Sequence, residues 1–271
     1  MKIGVDIGGT KIRAGLIAEN GEVLKSVKAP CPNKEGKLAV LDFIAGLIDG
    51  LFTDEVNAIG VGVPAIVDDK GVVHECVNIP SWDAVDVKGY MEGRFNVPVS
   101  VRNDCNCYAL GVKSSELGRG YQDVVGITLG TGVGSGIVIN GQLYLGQNSC
   151  AGEIGEIPFR DKNYEYYCSS HFFKTRGTSG KDAADAADAG DPQAITLWKE
   201  FGANVADLLM VVMLAYSPQA IFLGGSLSQA FPYFEQAMRE RLQAFPYKKV
   251  LDLIDIHAMD DPDIILAGAV A

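Results

Sequence analysis

Apolar residues recur along this chain in two rhythms. Short, nearly continuous apolar stretches, the length a buried strand needs, occur at MKIGV, NAIGVGVPAIV, VPVSV (Val97 to Val101) and AIFLGGS. Longer stretches keep one apolar face at helical spacing. In KLAVLDFIAGLIDGLF (Lys37 to Phe52) that face is Val40, Ile44, Leu47, Ile48 and Leu51, and PQAITLWKEFGANVADLLMVVMLAY (Pro192 to Tyr216) predicts a long helix. Further helices are predicted from about Cys105 and from Leu227 to Ala244, with a strand in VLDLIDIHAM. Strand runs followed by helices, twice over, predict two α/β domains flanking a cleft. No low-complexity linker marks their boundary, which falls in the helix after Asp104 or near Gly118 to Gly120; we place the domains at residues 1–116 and 117–271, with the last helix free to pack back on the first.

The two halves echo one another. At an offset of 122, IGVDIGGTKIRAGLIAENGEVL (Ile3 to Leu24) lies on VGITLGTGVGSGIVINGQLYL (Val125 to Leu145), with Asp6 on Thr128 and Gly8 on Gly130. Both run to Asn-Gly, at Asn20-Gly21 and Asn140-Gly141, a strong hairpin signal. Each segment reads strand, glycine-rich bend, strand, hairpin turn, strand. Two unrelated hairpins would also look alike, and a duplicated fold with two equivalent loops is the alternative.

Glycines inside strand patterns cost stability unless a turn or a close approach needs them. A plain hairpin turn accounts for DIGGTK (Asp6 to Lys11), and so does a phosphate cradle. Neither GGTK nor SGKD completes a P-loop, and GTGVGSG runs into a strand rather than opening a helix, so it is not a dinucleotide fingerprint. Composition narrows the ligand. The net charge is −11 with no basic stripe, which argues against nucleic acid and anionic membranes. An acidic chain that binds a polyphosphate must use backbone N–H groups, a few local cations and a metal ion. The longest apolar run, Leu208 to Tyr216, is far too short to cross a bilayer, and six scattered cysteines suit a reducing cytoplasm. Met1-Lys2-Ile3 already reads as strand, so no signal peptide is expected.

DIGGTKIRAGLI, LGTGVGSGIVINGQLYLG, AGEIGE and LGGS, in this order and spacing, resemble the ROK family of sugar kinases and sugar-sensing repressors over essentially the whole chain. The resemblance implies two actin-like (ribonuclease-H-like) domains. The repressor branch carries an N-terminal helix-turn-helix domain, so a chain opening on the first strand favours the kinase branch. It further implies that Asp6, Gly8, Gly9, Thr10 and Lys11 face the β- and γ-phosphates of ATP, that Gly130, Thr131 and Gly132 form a second phosphate loop, and that Gly224, Gly225 and Ser226 receive the adenosine. Asp6 would hold Mg²⁺, through water, because that ion keeps much of its hydration. VRNDCNCYALG (Val101 to Gly111) matches the family's N-D-x-N-x-x-A-x-G, whose aspartate, here Asp104, is the catalytic base and whose asparagine, Asn103, binds neighbouring sugar hydroxyls. Read without the family, Asp104 is a helix N-cap. Glu153 and Glu165 align with the family's sugar-binding glutamates, and Asn78 in NIPSW with a further sugar contact.

The sequence departs from the family at one segment. Glu156 stands where the family has a histidine, the three-cysteine stretch is missing, and those are the family's zinc ligands. No zinc site is expected, and Glu156 must either meet the sugar differently or face away. Cys105 and Cys107 read as buried thiols, and His74, His171 and His257 as isolated residues. The resulting expectation is a cytoplasmic, ATP- and Mg²⁺-dependent hexose kinase of carbohydrate metabolism (the entry to glycolysis) acting at the 6-hydroxyl, with glucose first and fructose, mannose or an N-acetylhexosamine as alternatives. A silent sugar- or nucleotide-sensing protein is the rival from another class. Family relatives are often dimers, which leaves a homodimer open.

Overall fold

The computed structural model describes residues 1–271. Its contacts divide the chain into two compact units, Met1–Gly120 with Leu143–Ala151 and Asp261–Ala271, and Tyr121–Gln142 with Gly152–Asp260.

In the first unit the chain runs β1 (Lys2–Ile7), β2 (Lys11–Ile17), β3 (Val23–Pro30), α1 (Lys37–Asp49) and β4 (Ala58–Val63). A small antiparallel patch follows, β5 (Ile66–Val67), β6 (Val72–His74) and β7 (Val85–Asp86), then α2 (Val87–Phe95), β8 (Val99–Asn103) and α3 (Asp104–Ser114). The main sheet has the order β3-β2-β1-β4-β8, with β1, β4 and β8 parallel. Strand periodicity sends alternate residues to opposite faces. Ile3, Val5 and Ile7 of β1 enter one core with Val40, Leu41, Ile44 and Ile48 of α1. Gly4 and Asp6 therefore point the other way.

That second face is built for close approach. Gly15, Gly4 and Gly60 stand in register across β2, β1 and β4, and a methyl group on Gly4 or Gly60 would run into the backbone carbonyl of Leu266 or Ala269. Those carbonyls belong to α10 (Ile264–Ala269), the last helix of the chain, which lies on this glycine row and packs against α3. Gly111 and Gly268 lie where these two helices meet, against the carbonyls of Ile264 and Cys107. Ser100 and Arg102 both donate to the Ala269 carbonyl, at 3.1 and 3.0 Å, tying the helix end to β8.

In the second unit β9 (Val124–Leu129), β10 (Val133–Ile139) and β11 (Gln142–Leu143) repeat the opening of the chain. The offset of 122 carries β1 onto β9 and β2 onto β10, residue for residue. After the short hairpin β12 (Pro158–Phe159) and β13 (Lys162–Asn163) come α4 (Tyr164–Cys168), α5 (Ser170–Lys174), α6 (Gly180–Asp188) and α7 (Pro192–Tyr216). Then follow β14 (Ala220–Gly224), α8 (Phe231–Leu242), α9 (Lys248–Leu251) and β15 (Asp255–Ala258). The sheet order, β11-β10-β9-β14-β15, matches that of the first unit, with β9, β14 and β15 parallel. The long α7 begins where Asp191 accepts the Gln193 N–H with Pro192 just inside, and ends at Ser217 in a left-handed conformation. Its Trp198, Phe201, Val205, Leu208 and Leu209 enter one core with Val125, Ile127 and Leu129 of β9. No helix is long and apolar enough to cross a membrane.

The glycine row gives a direct test. Gly60→Ala would push a methyl group into a backbone carbonyl that cannot yield, an overpacking that costs about 1–3 kcal/mol. Gly93, within α2, has open space where a methyl group would stand, with no atom inside 4 Å, so Gly93→Ala should gain about 0.5–1 kcal/mol from helix propensity alone. Urea unfolding should show the two changes moving stability in opposite directions.

Candidate active site

Asp6 ends the second face of β1, and its register partner on β4 is Gly62. A methyl on Gly62 would sit 3.3 Å from the sulfur of Cys107 and 3.6 Å from the Cα of Asp104, so β4 passes close beneath the first turn of α3. Asp104 is the first residue of that helix, directly after β8. The cap itself is Asn103, whose side-chain oxygen accepts the N–H groups of Cys105 at 2.8 Å and Asn106 at 3.2 Å. Capping therefore falls to Asn103 rather than Asp104, which corrects the sequence-based alternative. Asn103 also donates to the Ala65 carbonyl, at 3.3 Å. The Asp104 carboxyl accepts the Cys105 N–H at 2.8 Å and is also hydrogen-bonded by the Cys105 side chain.

The charge of Asp104 adds to the cost of ionising Asp6. Asp6 is pushed up to about 7, first by burial and next by the charge of Asp104, against smaller opposing effects of Arg13 and Lys28. Burial also pushes Asp104 above its ordinary range, despite its local donors. Arg13 faces Asp6 directly across the β1–β2 ladder, and Lys28 faces Arg13 across β2–β3. Sequence reading missed both cations, although counting back along the hairpin from its turn would have paired Arg13 with Asp6. The guanidinium of Arg13 is already engaged by the Pro262 carbonyl and the Asp263 carboxylate.

The Gly8–Lys11 turn follows Asp6 and is closed by the Gly8 N–H donating to the Lys11 carbonyl, at 2.9 Å. Thr10 and Lys11 are exposed. A methyl on Gly9 would stand 2.6 Å from the Cβ of Asn78, so the turn lies flush against the exposed Asn78 segment.

In the second unit the corresponding turn is Gly130–Gly132, closed by the Gly130 N–H donating to the Gly132 carbonyl, at 3.0 Å. Thr131, at its tip, is exposed. The Ser170 N–H donates to the Gly130 carbonyl at 2.7 Å, and the Leu227 N–H to that of Leu129 at 2.9 Å. Gly224 closes β14 in register with Thr128, and Gly225 takes φ +84°, a left-handed turn that brings its backbone against Leu129. A methyl on Gly130 would lie 3.6 Å from the Ser226 hydroxyl. The second turn thus lies beside Gly225 and Ser226, and Thr131, Gly225 and Ser226 are the exposed residues of the two segments. A cavity of about 650 Å³ elsewhere in the first unit, lined by Met1, Ile17, Asn20, Ser114 and Ile264, holds none of the candidate site residues.

A sequence profile of the ROK family matches residues 2–261. This chain belongs to the ROK family. It is 32% identical to a glucokinase of Streptomyces coelicolor, over 84% of this chain and 82% of that one. It is 29% identical to an N-acetyl-D-glucosamine kinase of Haemophilus influenzae, over 89% of each. The crystal structure of a ROK family glucokinase from Streptomyces griseus, in complex with glucose and AMPPNP, superposes with a TM-score of 0.84 at 29% identity, covering 99% of this chain and 97% of that one. The architecture is the two-domain, actin-like fold of ROK sugar kinases.

The segment where this ROK protein departs from the family pattern is held by hydrogen bonds and rings. Glu153 is exposed, and precedes a 3₁₀ turn at Ile154–Glu156. Glu156 accepts a hydrogen bond from the Asn163 side chain at 3.0 Å, and Asn163 in turn caps α4 by accepting the Tyr166 N–H at 2.9 Å. In place of the family histidine, Glu156 therefore steadies the helix that carries Glu165. Glu165 itself accepts the Val133 N–H at 3.1 Å, and its carboxylate fills the space where a side chain on Gly132 would go. Phe159 stacks on Tyr164 and meets Tyr167 edge-on, with the Arg160 guanidinium over both Phe159 and Tyr167. Cys168 is fully buried, and no group of three or more His, Cys, Asp or Glu side chains stands together as a metal cage.

The first unit fits a divalent cation with a polyphosphate. Two half-buried carboxyls of raised proton affinity lie near one another, Arg13 and Lys28 offset that only in part at Asp6, and the adjoining turn offers backbone N–H groups rather than charge. Folded Asp6 keeps its proton up to about pH 7, whereas the unfolded chain releases it near 3.8, so its contribution to stability is lost as pH rises through that window. Asp6→Asn should consequently stabilise the ligand-free protein at pH 8 by at least about 1 kcal/mol and flatten this pH dependence. Chemical denaturation at pH 5 and pH 8 reads both; a variant less stable than the parent at pH 8 would contradict the assigned strain.

Proposed function

We propose that this ROK sugar kinase transfers the γ-phosphoryl group of ATP to the 6-hydroxyl of a hexose, with glucose as first substrate. The observation that carries this reading is the Asp6–Asp104 pair at the strand ends, beside a turn whose backbone can cradle phosphate. Asp104 accepts the hydroxyl proton as the sugar oxygen attacks the γ-phosphorus, the bond from that phosphorus to the bridging oxygen breaks, and ADP leaves. Its proton affinity, raised by burial, suits a general base better than an ordinary surface carboxylate. Asn103 and Asn78, with Glu153, Glu165 and Glu156, would hold the other sugar hydroxyls. Gly8–Lys11 and Gly130–Gly132 would hold the phosphates, and Gly224–Ser226 the adenosine. Asp6 would hold Mg²⁺ through water, and that ion supplies positive charge against the phosphate oxygens. Free thiols at all six cysteines suit work in the cytoplasm.

N-acetylglucosamine is the second substrate to weigh, because a relative named for it matches over as much of the chain as those named glucokinase. Coupled ADP release over a panel of hexoses and N-acetylhexosamines, with Mg²⁺, separates these readings; no turnover with any sugar would favour a silent sensor. Asp104→Asn should lower kcat by at least ~10²-fold while sugar binding is largely retained. Near-parental turnover in a folded variant would remove Asp104 from the role of base.

Zinc is the other test. The hydrogen bond from Asn163 to Glu156 and the Phe159–Tyr164–Tyr167 cluster brace the α4 segment without metal, so a strong zinc chelator with excess Mg²⁺ should change neither melting temperature nor turnover. Stoichiometric zinc by elemental analysis, with activity lost on its removal, would overturn this reading of the segment.

A further inference from the structure

Between β3 and α1 the chain runs as a strap, Cys31 to Glu35, that touches two separate parts of the first unit. At one end the Cys31 N–H donates to the Thr10 carbonyl, at 2.9 Å. In the middle the side-chain amide of Asn33 donates to the Gly9 carbonyl at 2.5 Å and to the Asn78 carbonyl at 3.3 Å. At the other end the Glu35 carbonyl accepts the Ser81 hydroxyl, at 3.0 Å. The strap thus fastens the Gly8–Lys11 turn to the Cys76–Trp82 segment.

Both structures it joins are internally firm. The Cys76–Trp82 segment is a double turn, closed by Ile79 N–H to Cys76 carbonyl, Trp82 N–H to Ile79 carbonyl and Cys76 N–H to Trp82 carbonyl bonds, and anchored by the buried Ile79 and Trp82. Asn78 sits at its exposed surface, close enough to Gly9 to exclude any side chain there. Asn78 is joined to Gly9 by direct contact and, through the shared amide of Asn33, by hydrogen bonding. Asn33 is half-buried, and its sequence context, CPNKEG, carries no signal of this role.

We propose that Asn33 is a positioning residue that couples sugar binding at Asn78 to the set of the phosphate turn at Gly8–Lys11. This rests on the function proposed above, in which Asn78 meets the sugar and the turn meets the phosphates. A sugar that fixes the Asn78 segment then fixes the carbonyl of Gly9, and the N–H groups of the turn are held in the orientation a nucleotide needs. Coupling of this kind is reciprocal, so nucleotide must tighten sugar by the factor by which sugar tightens nucleotide.

The test is the dissociation constant of Mg²⁺·AMPPNP, measured by calorimetry with and without saturating glucose, or with the best sugar of the panel, in the parent and in Asn33→Ala. The parent should show tightening by at least about fivefold, the lower end of ordinary coupling between sites. In Asn33→Ala, where the direct Asn78–Gly9 contact remains, the factor should fall to less than about half that of the parent, with each ligand alone still bound and the melting temperature shifted by only a few degrees. A purely structural role would weaken both ligands and leave the factor intact. If Asn33→Ala does not fold, Asn33→Asp keeps the size, removes the donor and is measured instead. Equal factors in parent and variant, whatever their size, overturn the coupling role alone. A parent that binds no sugar of the panel overturns the proposed function, and the coupling role with it.

Discussion

Two carboxyls on the closed face of one sheet set the terms for the rest of the molecule. Parallel β1, β4 and β8 bring Asp6, at the end of β1, and Asp104, just after β8, to the same edge of the sheet, with Gly62 of β4 beside Asp6 and close to the Cα of Asp104. Arg13 and Lys28 offset the cost of ionising Asp6 only in part, and Arg13, opposite Asp6, is already held by Pro262 and Asp263. Without a ligand, a proton on Asp6 relieves the repulsion; a divalent cation would do so more fully, and only while it is bound. The site therefore stores an electrostatic penalty that its ligand relieves, a common way for a binding site to trade stability for function. The C-terminal helix is part of this constraint, because α10 lies on the same face, fixes α3 through Gly111 and Gly268, and follows directly on the groups that occupy Arg13.

The repeated topology shows how one chain supplies two kinds of loop. Both sheets have the same strand order, and in both the glycine turn follows the first strand, at the carboxyl end where open parallel sheets bind ligands. Their hairpin registers differ by one residue. Ile7 pairs with Ile12, leaving Gly8–Lys11 as the turn, whereas Leu129 pairs with Val133, leaving Gly130–Gly132. The longer turn is fastened from outside by the Cys31–Glu35 strap, and the shorter one by Glu165 and Ser170.

Much of this was legible in the sequence where a local rule spoke. The offset of 122 picked out β1 with β9 and β2 with β10, because strand alternation and Asn-Gly turns survive divergence. The apolar face of Pro192 to Tyr216 marked out α7 with the bounds it has in the structure. Short-range capping failed to discriminate at Asn103-Asp104, since either side chain can cap a helix and only backbone placement decides between them. Contacts between distant segments left no local trace. Nothing in CPNKEG shows that Asn33 meets Gly9 and Asn78, and nothing around Glu156 shows that it braces Asn163. The glycines of β1, β2 and β4 were visible as oddities in strands, but their meaning, a bed for α10, needed the register of three strands at once.

The central claim is that Asp6 is held at a raised proton affinity by burial and Asp104 until a cation arrives. The most direct measurement follows the carboxyl ¹³C resonance of Asp6 from pH 4 to 9, in the free protein and with Mg²⁺·AMPPNP. The account predicts a midpoint of about 7 in the free protein, moving down into the ordinary carboxylate range, about 4, when Mg²⁺·AMPPNP binds. A midpoint already near 4 in the free protein, or one that stays at about 7 with Mg²⁺·AMPPNP bound, would contradict it.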